Sequence, residues 1–120
     1  MNYFNKRNQL GQPIKSGDGR VIGYIRGKCF FRYAWSSRHM LKVPRGWAQD
    51  ESIIKILELA GVQIIEIVDS DSGLVFIAPL SEFREHGVII DRGFGRQLAL
   101  PLQYWQTRPG QSTNGKKEGK

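Results

Sequence analysis

Eleven carboxylates and two histidines are the residues of this 120-residue chain whose types could move protons or hold a metal. A metal-dependent nuclease would draw on Glu66, Asp69, Asp71 and Asp91, with His39 or His86 as proton carrier. Their spacing argues against it. Glu66 and Asp69 lie three apart on one expected strand and so point to opposite faces, while His39 sits in a basic loop where phosphate contact is as good a use. His86 ends a short expected helix, the usual place for a cation that complements the helix dipole. Asp69-Ser-Asp-Ser-Gly73 opens like a calcium loop, with oxygens at alternate positions. Gly73, however, takes the third ligand position and Leu80 stands where a twelfth-position Glu is required. Asp and Ser bonding to their own backbone make it a turn instead. Cys29, the single cysteine, has no internal disulfide partner and sits beside Phe30 and Phe31, so it reads as a small hydrophobe and not as a nucleophile. No catalytic residue, metal site or cofactor is expected.

The second chemistry within reach is electrostatic. The net charge of +7 is divided along the chain, with +9 in residues 1–46, −7 in 47–91 and +5 in 92–120. Basic residues gathered in one segment can present a positive face to a polyanion, which an even spread would not. Arg20, Arg26, Lys28, Arg32, Arg38, His39, Lys42 and Arg45, with Arg92 and Arg96 further on, are the candidate phosphate contacts, and Tyr24, Tyr33 or Trp35 are available to stack on bases.

These side chains must be positioned by a scaffold, and its centre is residues 62–80: two apolar, β-branched runs around the Asp69–Gly73 turn. Apolar residues on both faces of this hairpin place it in the middle of a sheet. A second hairpin is expected over 20–26 and 29–35, with Gly27-Lys28 as a type II′ loop. That register sets Arg26 opposite Cys29, Tyr24 opposite Phe31 and Ile22 opposite Tyr33 on one face. Val21, Gly23, Ile25, Phe30, Arg32 and Ala34 fall on the other. Residues 36–46 read as a basic loop with at most one short strand. Asp50 is placed to cap a helix whose buried face is Ile53, Ile54, Ile56, Leu57 and Ala60 and which ends at Gly61. Ser81 starts a shorter helix through His86, Val88–Ile90 follows as a strand, and 98–105 is a last extended segment in which Pro101 favours an edge or an early end.

The expectation is thus an α+β fold, an antiparallel or mixed sheet with one main and one short helix. It is either ferredoxin-like with an added N-terminal strand or a helix on an irregular antiparallel sheet. One domain is expected over 20–106, with a loose arm over 1–19 and a disordered basic tail over 107–120. The longest apolar run is far too short to span a bilayer and the start has no secretory h-region, so a cytoplasmic protein without membrane contact is expected.

Arg92-Gly93-Phe94-Gly95 resembles the opening of the RNP1 motif of RNA-recognition domains, whose aromatics stack on bases. Arg96 and Leu100 occupy the positions where that motif has aromatics, and the tetrapeptide follows the fourth strand of the pattern instead of lying in the third. The family is therefore set aside. The leading expectation is a small nucleic-acid-binding module, for DNA or RNA. The alternative is a protein-docking adaptor or inhibitor that uses Trp35, Trp47, Tyr104 and Trp105 as interface aromatics, or self-association of its oppositely charged parts.

Overall fold

The computed structural model describes residues 11–34, 40–91, 93 and 95–109. In chain order these form β1 (Gln12–Lys15), β2 (Val21–Arg26), β3 (Cys29–Ala34), β4 (Leu41–Lys42), β5 (Arg45–Asp50), α1 (Glu51–Leu59), β6 (Ile64–Asp69), β7 (Leu74–Pro79), α2 (Ser81–His86), β8 (Val88–Asp91), β9 (Arg96–Pro101), a 3₁₀ turn (Leu102–Tyr104) and β10 (Gln106–Pro109). The fold is mixed α+β, dominated by strands. A six-stranded sheet has the order β1-β2-β3-β6-β7-β10, and a four-stranded sheet the order β4-β5-β9-β8.

The two hairpins read from the sequence occupy the middle of the larger sheet. Tyr24 faces Phe31 and Arg26 faces Cys29 across β2–β3, and Gly27 takes the left-handed φ of 63° that its tight loop requires. Further along β2 the expected pairing fails. Ile14 pairs with Gly23 and Lys15 with Val21, so Ile22 is bulged out of the ladder, and it is partly buried against the core instead of facing Tyr33.

The strand order departs from the ferredoxin-like pattern. β3 runs parallel to β6 and is its direct neighbour, whereas a split βαβ unit has a strand between its parallel pair, and β8 lies in the other sheet. The long connection from β3 to β6 carries β4, β5 and α1, which supplies the crossover that parallel neighbours need.

One interior strand escaped the sequence reading. β5 spans Arg45–Asp50 and pairs along its whole length with β9, although Arg-Gly-Trp-Ala-Gln-Asp has no run of β-branched residues. The β4–β5 turn holds Val43-Pro44, with a cis peptide bond. β9 is an interior strand of its sheet, flanked by β5 and β8, and Pro101 falls at its last position, where a missing amide costs no interior ladder bond. The ordered sheet also reaches further than 20–106. Gln12–Lys15 and Gln106–Pro109 form its two edges, where Pro13 and Pro109 are tolerated; β1 adds Ile14 to the core, while β10 is exposed along its length and is held by ladder pairing.

The core lies between the sheets and the helices. Phe30, Ile65, Ile67, Ala78 and Phe76 come from the inward face of the larger sheet, Trp47 and Leu100 from the smaller, Ile53, Ile54 and Leu57 from α1 and Phe83 from α2. Trp47 meets Phe76 edge-on at 5.3 Å, and Trp105 joins Phe76 to Phe83 at 6.5 and 5.7 Å, its indole N–H donating to the Leu100 carbonyl at 2.9 Å. The buried stripe of α1 is narrower than expected, since Ile56 and Ala60 are exposed. Asp50 does not cap α1 with its side chain; its Oδ1 accepts from Gln97 Nε2 at 3.0 Å on β9. Leu80, not Ser81, holds the cap position of α2.

Candidate nucleic-acid interface

Registry across the larger sheet defines a face that looks away from the core. Opposite or adjacent on it are Tyr24 and Phe31, then Glu66, then Ile77, then Gln106, strand by strand. Two residues further along β3 is Tyr33, 56% exposed, with Val68 beside it. Tyr24 and Phe31 stack at 5.8 Å with 27° between their planes, and the Arg26 guanidinium lies over the Phe31 ring at 5.7 Å. Lys28 is exposed in the adjoining turn. Glu66, the one acid on this part of the face among the described residues, accepts from Arg108 Nη2 at 3.3 Å. β3 therefore offers two aromatic rings on one face, stiffened by a third on β2, with cations at its start.

Cys29 starts the same face. Burial first, then the neighbouring Glu66, pushes its thiol up to about 11, which keeps it protonated at neutral pH and fits the reading of a packing residue.

The remaining expected contacts are scattered. Lys42 and Arg45 belong to the smaller sheet and line a cleft of ≈ 760 Å³ with Met40, Asp69, Leu74 and Phe76. Asp69 is at the far end of β6 from Ile64, which pairs with Cys29 beside the Arg26–Lys28 turn, so about 17 Å of strand separates the two basic groups. Arg20 lies 4.0 Å from Asp18, whose carboxyl the Ser16 hydroxyl and the Arg20 amide hold below its ordinary value. Arg96 meets Glu51 at 3.3 Å and lines a cleft of ≈ 870 Å³ with Lys55, Arg84 and Asp50. In that cleft Arg84 is occupied by Glu51 and Glu58, both at 3.0 Å. Arg32 points inward, where its Nη2 donates to the Ala48 carbonyl at 3.0 Å, so it is not a surface phosphate contact. Arg38, His39, Arg92 and Trp35 lie outside the described residues.

The aromatic set proposed for protein docking is changed more. Trp47 is fully buried and Trp105 is 7% exposed, both as core residues. Tyr104 is partly buried and stacks on His86 at 4.4 Å. Phe31 was missed as a stacking residue although the expected hairpin register already set it opposite Tyr24.

The carboxylates do not converge. Glu66 is on the outward face, Asp69 is 2% exposed and accepts from the Asp71 amide and the Ser72 hydroxyl in its turn, and Asp91 is in the smaller sheet. Glu82, Glu85 and His86 are close enough to share an ion, but His86 Nε2 at 3.5 and 3.8 Å from the two carboxylates accounts for the grouping as side-chain contact within one helix turn. No helix of the described residues is long and apolar enough to cross a membrane. No family model, curated protein or solved structure matches this chain.

Proposed function

We propose that the protein binds single-stranded nucleic acid on the outward face of β2 and β3, stacking bases on Phe31 and Tyr33 and holding phosphates with Arg26 and Lys28. The observation that carries this reading is the Tyr24–Phe31 stack beneath Arg26, with an exposed Tyr33 next along the strand. Every base has a π-face, so such a platform binds without sequence preference, and Arg adds a cation–π term. A single strand is favoured over a duplex because duplex bases are already stacked on each other and leave their edges, not their faces, to a protein.

Lys42 and Arg45 share their cleft with Asp69 and Phe76 of the inward face, so they are not assigned to this surface. The protein-docking alternative loses Trp47 and Trp105 to the core and is the weaker reading. The test is binding of labelled single-stranded and duplex oligonucleotides to the protein and to Tyr33→Ala. Tyr33 is exposed, so its truncation spares the core, and it is expected to weaken single-strand binding by about 1–3 kcal/mol. Equal affinity for the variant, or preference for duplex, contradicts the proposal.

A further inference from the structure

We propose that the cleft at Arg32 binds a small organic carboxylate with an adjacent hydroxyl or ammonium donor, the size of an α-hydroxy or α-amino acid. Strand alternation sets Arg32 inward between Phe30 and Ala34, both with no exposed surface. Its guanidinium reaches from the larger sheet to the smaller, bonding to the Ala48 carbonyl of β5 at 3.0 Å. Its Nε is buried without a partner, and it forms no ion pair among the described residues. Asp50 is the carboxylate that acts on it electrostatically, while its Oδ1 takes a hydrogen bond from Gln97. Burial lowers the Arg32 pKa to about 10, which still leaves the charge in place at neutral pH.

Gln49 lines the same cleft, 7% exposed, with its Oε1 buried and equally unpartnered. An inward-turned cation with only the exposed Asp50 as counter-charge, an unpaired donor and an unpaired acceptor are each costly. All of them line one cleft of ≈ 240 Å³, walled by Ile22 and Leu41 and reached past Asp50 and Gln97.

The three deficits define the ligand. An anionic oxygen satisfies Arg32, and a planar carboxylate suits a guanidinium best. A donor next to that carboxylate satisfies Gln49 Oε1. The cleft is below the usual range for drug-sized ligands, which excludes a nucleotide or a peptide segment. Asp50, exposed at the mouth, repels a second carboxylate and so selects monocarboxylates. Arg32 is on the opposite face of β3 from Phe31 and Tyr33, so this site is independent of the nucleic-acid surface.

The Arg32 Nε–H resonance of the full chain reports on the site directly in a titration with glycolate, glycine, acetate and inorganic phosphate. Glycolate or glycine is expected to move it saturably at millimolar concentration, acetate about tenfold less tightly for want of the Gln49 bond, and phosphate not at all. Gln49→Leu is expected to erase the advantage over acetate while the spectrum remains that of the folded protein. A resonance that none of the four moves saturably overturns the proposal, and so does equal binding of acetate and glycolate by the unaltered protein. If Gln49→Leu does not fold, the comparison of ligands on the unaltered protein decides alone.

Discussion

Arg32 and Phe31 are neighbours in the chain with opposite fates, and the difference is the pleat. Alternation alone puts Arg32 with Phe30 and Ala34 and Phe31 with Tyr24, so both placements are legible in the sequence. What the sequence does not carry is the partner from the second sheet, the Ala48 carbonyl, because β5 has no strand signature to announce it. Reading Arg32 as a phosphate contact weighs its charge and neglects its face. Cys29 yields a direct check at this scale. Its pKa, raised from 9.0 to about 11, means roughly a hundredfold less thiolate than an ordinary cysteine at neutral pH. Alkylation by iodoacetamide in the folded protein is therefore expected to be slow and to keep accelerating with pH well above the range where a free thiol levels off. Reaction at the rate of a free thiol at pH near neutrality would contradict the burial of Cys29.

At the scale of elements, long apolar runs were legible and short or polar strands were not. Ile65 and Ile67 have no exposed surface in β6, as their unbroken run implies, and Ile65→Ala or Ile67→Ala is expected to cost about 2–4 kcal/mol in denaturant unfolding by leaving a cavity. β5 shows the other case, in which pairing and one Trp do what apolar periodicity does elsewhere. A Cβ on Gly46 would meet the Leu100 carbonyl oxygen at 2.0 Å. Gly46→Ala must therefore push β5 from β9, at an expected cost of about 1–3 kcal/mol; unchanged stability would refute this pairing. α1 is tied to α2 by Arg84, which bonds Glu51 and both oxygens of Glu58. Those hydrogen bonds hold the Glu58 carboxyl below its ordinary value of 4.5. A depressed folded pKa contributes stability above the unfolded value and loses it as pH falls through the folded one. Arg84→Met is accordingly expected to cost no more than about 1 kcal/mol near neutral pH, since the pair is at the surface, and progressively less on acidification. A cost that does not change with pH would show that Arg84 acts by packing alone.

For the whole molecule, the +9 segment proves a poor guide to one surface, because the fold sends its parts to different places. Arg26 and Lys28 go to one end of the larger sheet, Lys42 and Arg45 to a cleft at the other, Arg20 to a turn beside Asp18 and Arg32 to the interior. Linear charge clustering becomes spatial clustering only where a hairpin keeps neighbours together, which is why the β2–β3 turn was legible and the wider patch was not. The α+β class and the central hairpins follow from local patterns. The parallel β3–β6 pairing and the second sheet depend on contacts across most of the chain.

The central claim is that the β2–β3 face with its turn is the nucleic-acid surface. Its most direct measurement is the salt dependence of binding to a labelled single-stranded oligonucleotide, by fluorescence anisotropy. Three proteins are compared: the parent, the double reversal Arg26→Glu with Lys28→Glu, and the double reversal Lys116→Glu with Lys117→Glu. The account predicts steep weakening of the parent with salt, and a much larger loss for the turn reversal than for the tail reversal. It also predicts a salt slope about one to two units shallower for the turn reversal. Equal effects from the two reversals, or no salt-sensitive binding of the parent to single-stranded DNA or RNA, would contradict it.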